Sequence, residues 1–114
     1  MLEYSVTDSE NGIKYRPNLL IKNIAYGALG DDFSSLDSHT LKLHLASIRD
    51  VINGSKGQDN VYGNICYKIS LMKDVAEIYC YDEFLGKEAT SDIFNMLNDL
   101  TNQIESFESQ NGKV

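Results

Sequence analysis

The chain has 114 residues, 42% of them hydrophobic, and carries 17 Asp and Glu against 10 Lys and Arg, a net charge of −7. That length suits a single domain over residues 1–114, and the hydrophobic content, with seven Tyr and four Phe, can build a core and argues against disorder. An acidic balance repels nucleic acid and anionic membranes, so neither is an expected partner, whereas basic protein surfaces are attracted.

The charge is unevenly placed. Residues 1–57 hold six Lys/Arg and seven Asp/Glu, while residues 58–114 hold four and ten. The N-terminal MLEYSVTDSEN is polar and acidic, unlike a secretory leader, and no apolar run approaches the roughly 20 residues that span a bilayer. The expectation is a soluble cytoplasmic protein.

In chain order, Leu2, Tyr4 and Val6 alternate with polar residues, Asp8 to Gly12 supplies a turn, and Ile13 and Tyr15 resume the alternation. This predicts a β-hairpin over residues 2–16. Residues 17–29 read as a short helix ending near Tyr26, with Pro17 in its first turn and Leu20, Ile21, Ile24, Ala25 and Ala28 on one face; a strand is the alternative. Residues 30–35 read as a loop. Asp37 or Ser38 then caps a helix that buries Leu41, Leu45, Ile48 and Ile52 and stops at Gly54. Leu41, Leu43 and Leu45 also alternate like a strand, but the longer helical match with its start and stop signals decides.

After a Gly/Ser/Asn-rich loop over 53–60, Val61, Gly63, Ile65, Tyr67, Ile69 and Leu71 alternate with polar neighbours as one strand. With Lys73-Asp74 as a two-residue turn, Leu71 pairs with Ala76, Ile69 with Ile78 and Tyr67 with Cys80, so both strands satisfy one register. The opposite face then carries Lys68, Tyr62, Tyr79 and Tyr81. Tyrosines there suit a protein interface, or else a sheet covered on both faces. The same register sets Cys66 and Cys80 on opposite faces, which predicts free thiols in a reducing compartment.

Residues 82–86 lead out, and Thr90 or Ser91 caps the last helix. Its stripe is Ile93, Leu97, Leu100, Ile104 and Phe107, and its opposite face gathers Glu88, Asp92, Asn95, Asp99 and Asn102. No Lys or Arg occurs from Glu88 to Gly112, and Glu105 and Glu108 stand near the C-terminus, where the helix dipole favours cations. An acidic face so unrelieved points to a surface kept for a basic partner. The predicted order, two hairpins with two to three helices, is an α+β domain with the helices packed on an antiparallel sheet.

Catalytic chemistry is not indicated. His39 and His44 are five apart, about 140° around a helix, and do not share a metal. Asp31, Asp32 and Asp37 lack the calcium-loop pattern and read as a solvated loop feeding a helix cap. Gly27-Ala28-Leu29-Gly30 and Gly54-Ser55-Lys56-Gly57 lack phosphate-loop spacing, and neither cysteine has a cationic motif to lower its pKa. No enzyme activity, cofactor or metal is expected.

The stretches Ile24-Ala25-Tyr26-Gly27 to Asp31-Asp32-Phe33, and Gly63-Asn64-Ile65-Cys66-Tyr67, give the chain a resemblance to the immunity proteins of bacterial contact-dependent growth inhibition and related polymorphic toxin systems. The resemblance implies an antitoxin that binds one cognate toxin domain, often a nuclease with a basic cleft, and blocks it. Charge placement then nominates Glu88, Asp92, Asn95, Asp99 and Asn102, helped by Asp82 and Glu83, as polar contacts, with Tyr79 and Tyr81 as aromatic anchors. A monomer is expected rather than a homodimer. The rival is a type III secretion chaperone, also small and acidic, which would dimerise and hold an effector segment on apolar patches.

Overall fold

The computed structural model describes residues 2–11 and 14–110. Strands β1 (Tyr4–Asn11) and β2 (Lys14–Ile21) pair antiparallel, from Tyr4↔Ile21 to Asn11↔Lys14. The first predicted hairpin is therefore present but longer. Residues 8–11, read as turn, continue β1, and 17–21, read as helix, continue β2; Gly12 of the predicted turn lies outside the described residues. Pro17 is accommodated because each strand of a two-stranded ribbon keeps a free edge, where a missing N–H breaks no ladder. The helix expected up to Tyr26 reduces to a single 3-10 turn, Ile24–Tyr26, set by the Asn23 side chain accepting the Ala25 N–H at 2.9 Å.

A short helix, α1 (Leu29–Ser34), replaces the loop expected at 30–35. Tertiary contacts hold it against its loop-forming composition. Leu29 and Phe33 are fully buried one turn apart, Ser34 Oγ accepts the Leu19 N–H at 2.8 Å, and Arg16 donates to the Ser34 and Leu36 carbonyls at 2.9–3.1 Å. Helix α2 (Ser38–Ile52) matches its predicted ends and buries Leu41, Leu45 and Ile48, with Val51 instead of Ile52 completing the buried face. Asp37 caps it by accepting the Thr40 N–H at 2.8 Å, and Gly54, at φ +87°, follows its end in a conformation that glycine adopts readily.

Four consecutive strands then form a second antiparallel sheet: β3 (Asp59–Tyr62), β4 (Tyr67–Leu71), β5 (Val75–Cys80) and β6 (Glu83–Ala89). The predicted β4–β5 register holds in every pair, from Tyr67↔Cys80 to Leu71↔Ala76. Three expectations are corrected. The single strand over 61–71 is two strands joined by a bend, β6 occupies the segment read as lead-out, and the hairpins form two sheets instead of one. Helix α3 (Thr90–Gln110) ends the described chain and buries Ile93, Leu97, Leu100 and Ile104 completely. With α2 it covers the inner sheet face, where Ile69, Leu71, Ala76 and Ile78 are inaccessible to solvent. Among the described residues no helix is long and apolar enough to cross a membrane.

The bend between β3 and β4 is made by a buried carboxylate. Asp32 of α1 is 6% exposed; its Oδ1 accepts the Ile65 N–H at 2.7 Å, and its Oδ2 accepts those of Cys66 and Tyr67 at 3.1 and 2.9 Å. The expected solvated acid is thus an internal anchor. A β-carbon at Gly63 would overlap this carboxylate, so the bend has room for glycine alone there. Asp32→Ala would strand three N–H groups and should destabilise the fold by about 3 kcal/mol or more in urea unfolding, with Gly63→Ala also destabilising. A loss below about 1 kcal/mol in Asp32→Ala would show that water replaces the carboxylate at this bend.

Candidate functional site

Strand alternation puts Ile69 and Ile78 inward and their neighbours outward, and the outward residues align in rows across the sheet. One row crosses all four strands as Tyr62, Lys68, Tyr79 and Phe84, each the register partner of the next. The Lys68 ammonium lies 4.7 Å from the Tyr79 ring centroid, and Tyr79 meets Phe84 edge-to-face at 5.6 Å. Tyr79 also donates its hydroxyl to Glu77 at 2.9 Å, a bond that raises its pKa. No helix seals this face: Tyr62 is 53% and Phe84 48% exposed.

The row ends at Phe84, and just beyond it along β5 a two-residue turn, Tyr81-Asp82, lies between the paired residues Cys80 and Glu83. Tyr81 has φ +54° and is 71% exposed. Glycine normally takes a positive φ at the first position of such a turn, and a side chain there costs roughly 1–2 kcal/mol. The Cys66 carbonyl accepts the Tyr81 N–H at 2.9 Å and holds the turn in place. Asp82 and Glu83, both exposed, follow at once. Of the nominated site residues, Tyr79 lies in the row with Phe84 and Tyr62, and Tyr81 and Asp82 form the adjoining turn, whereas Glu83, the register partner of Cys80, belongs by strand alternation to the opposite face. Phe84 went unnominated because β6 was unrecognised; once that strand is known, the register assigns it to the row.

The remaining nominees lie elsewhere. Glu88 belongs to β6, not to the last helix, and its half-buried carboxylate accepts the hydroxyl of fully buried Tyr26. Burial, then the bond to Glu88, pushes the Tyr26 phenol well above its usual range. On α3, Asp92 accepts the Leu2 N–H at 3.4 Å and Asp99 accepts the Tyr4 hydroxyl, so both face the β1 ribbon. Asp99, Asn102 and Gln103 line one wall of a shallow cleft of about 460 Å³, with Tyr4, Ser5 and Val6 opposite. Asn95 and Asn102 are exposed. Because α3 packs against the inner sheet face and β1–β2, these groups do not share a surface with the aromatic row.

The acidic C-terminal half of α3 is also employed internally. Glu105 pairs with Lys42 of α2, and Glu108 accepts from the Ser38 N–H and hydroxyl at 3.1 and 2.6 Å. Glu108 thus satisfies an open donor at the positive end of the α2 dipole, which accounts for a carboxylate near a helix C-terminus.

The thiol expectation is half corrected. Cys66 and Cys80 are free, but their sulfurs lie 3.2 Å apart instead of on opposite faces, because Cys66 sits in the Asp32 bend and departs from the strand alternation. His44 is half-buried, with Nε2 2.8 Å from the Tyr62 carbonyl and its pKa lowered, chiefly by burial. Among the described residues no group of three or more His, Cys, Asp or Glu side chains is arranged to hold a metal. Comparison with known protein families, curated proteins and solved structures finds no match.

The carboxylate–phenol contacts predict an alkaline weakness. Burial, then the bond to Asp99 and the charges of Asp99 and Asp92, push the Tyr4 phenol from 10.0 up to about 12. A raised folded-state value means that the neutral phenol supports folding below pH 10 and that this support disappears as pH climbs toward 12. Urea-unfolding stability should fall across that window, and Tyr4→Phe should make the fall shallower. An identical decline in Tyr4→Phe would remove the Tyr4–Asp99 contact as its source.

Proposed function

We propose that this chain is an inhibitory binding protein that neutralises a cognate toxin domain, in the manner of the immunity proteins its sequence resembles. The observation that carries the reading is the strained, exposed Tyr81 in the turn next to an uncovered aromatic row, with Asp82 and Glu83 following it in the chain. A non-glycine residue at positive φ is unfavourable for folding, and so is an aromatic ring left in water; the two coincide at one turn. Aromatic anchors rimmed by charge are what protein interfaces concentrate. The net charge of −7 supports a basic partner such as a nuclease cleft, reached by steered association that slows with added salt.

In this reading the contact surface moves from the last helix toward the β5–β6 turn. Asp92 and Asp99 bond the Leu2 N–H and the Tyr4 hydroxyl at the start of the first hairpin, so reversing their charge tests folding as much as binding. Asp99 and Asn102, which line the cleft beside β1, are left as a secondary contact, and Asn95 stands apart from it.

The test is co-expression with the toxin domain encoded by an adjacent upstream reading frame. Growth should be rescued and the two proteins should co-purify; absence of both would refute the reading. The decisive variant is Tyr81→Gly, which relieves the backbone and should raise stability by about 1 kcal/mol while weakening toxin binding by about 2 kcal/mol, some 30-fold in Kd. Asp82→Lys combined with Glu83→Lys should leave unfolding unchanged and slow association. Full protection by both variants would exclude this turn from the interface.

A further inference from the structure

Cys66 and Cys80 are the only cysteines of the chain, and the binding reading gives them no task. Their sulfurs are 3.2 Å apart although 14 positions separate them in sequence. Both backbones are fixed independently of that contact. The Cys66 N–H is held by Asp32 at 3.1 Å, the Cys66 carbonyl accepts the Tyr81 N–H at 2.9 Å, and Cys80 is the register partner of Tyr67. Neither thiol is sealed in the core. Both are half-buried, and Cys66 lines a largely apolar cleft of about 210 Å³ with Ala28, Asp32, Ser35, Ile65 and Tyr67.

We propose that Cys66 and Cys80 form a reversible two-electron oxidation site, which closes a disulfide between the bend before β4 and the end of β5 in response to an oxidant of the peroxide class. The sulfurs must approach by about 1 Å to reach bonding distance, a movement within side-chain rotation on a fixed backbone. The Cys66 sulfur, facing the cleft, gives up its proton and attacks one oxygen of hydrogen peroxide as the thiolate; the O–O bond breaks, the departing hydroxide takes up that proton as the first water, and Cys66 becomes a sulfenic acid. The Cys80 sulfur then attacks the Cys66 sulfur, the S–O bond breaks, and the second oxygen leaves as water once protonated. In balance, two thiols and one peroxide give one disulfide and two waters. The Cys66 thiol is pushed up to about 11, first by its hydrogen bond with Cys80 and then by burial, so at neutral pH the attack runs through a small thiolate fraction and quickens as pH rises.

The closed bond would staple the Asp32 bend to the residue before Tyr81. This step concerns the thiols alone and is read without any toxin, so its failure and the failure of the binding reading are separate results.

The experiment is peroxide treatment of the native full chain, followed by denaturation, alkylation and intact-mass measurement. The expected product is monomeric, lighter by two hydrogen atoms, refractory to alkylation at both cysteines, and restored by dithiothreitol; digestion should yield a peptide cross-linked between Cys66 and Cys80. In Cys80→Ser the reaction should stop at a sulfenic acid on Cys66 that dimedone traps. Two cysteines still alkylated after peroxide, a disulfide-linked dimer, or over-oxidation of Cys66 in the unaltered chain would each overturn the proposal.

Discussion

One buried carboxylate organises the four-stranded half of this molecule. Asp32 accepts three consecutive N–H groups, from Ile65 to Tyr67, and in doing so stops the β3–β4 segment from running as one long strand. Charge-assisted bonds of this kind are about twice as strong as neutral ones, and three on one carboxylate offset the desolvation of its charge. The consequence is topological. With the chain turned back at 63–66, β3 pairs with β4 and places Tyr62 beside Lys68, which completes the aromatic row. The same bend brings Cys66 against Cys80 and aims its carbonyl at the N–H of Tyr81.

Acidic residues elsewhere follow a related logic, though with weaker individual bonds. Glu88, Asp92, Asp99 and Glu108 each accept from a hydroxyl or an amide of a different element, and Glu105 meets Lys42. These contacts tie α3 and its approach strand to β1, to the 3-10 turn and to the start of α2. The negative charge of the second half is thus partly architectural. What it leaves exposed among the described residues includes Asp74 in the β4–β5 turn and the short run Asp82-Glu83 at the β5–β6 turn.

The parts legible in the sequence are those where one periodicity governs a whole element. The α3 stripe, the caps of α2 and the β4–β5 register were all readable, because shifting any of them by one residue would turn apolar side chains toward water. The bend at 63–66 was illegible for the opposite reason. Alternation continues through it on paper, and the donor groups that break it are captured by a residue some 30 positions away. Strand β2 was hidden by Pro17 and by the exposed Leu20, which spoil the alternation, and β6 by Gly86 and a bulge near Tyr79. The misplacement of the cysteines follows from the bend, and the omission of Phe84 from β6. In the candidate site, Tyr79, Tyr81, Asp82 and Glu83 were legible as residue types suited to binding; their placement in and beside one turn was not.

Tyr81 is where local and global preferences disagree most openly. The β4–β5 pairs behind it satisfy propensity and pairing together, as a minimally frustrated chain should. Tyr81 keeps its backbone hydrogen bond but satisfies neither propensity nor burial: its backbone prefers another basin, its ring stays in water, and glycine would close the turn with less strain. Such a residue is tolerated because the Cys66 carbonyl and the β5–β6 ladder over-determine the turn. The Asp32 bend, the sulfur contact and the aromatic row all border this one strained residue. Rigid support directly behind an exposed ring lowers the entropy lost when that ring is buried by a partner, so the scaffold that makes Tyr81 possible also suits it to act as an anchor.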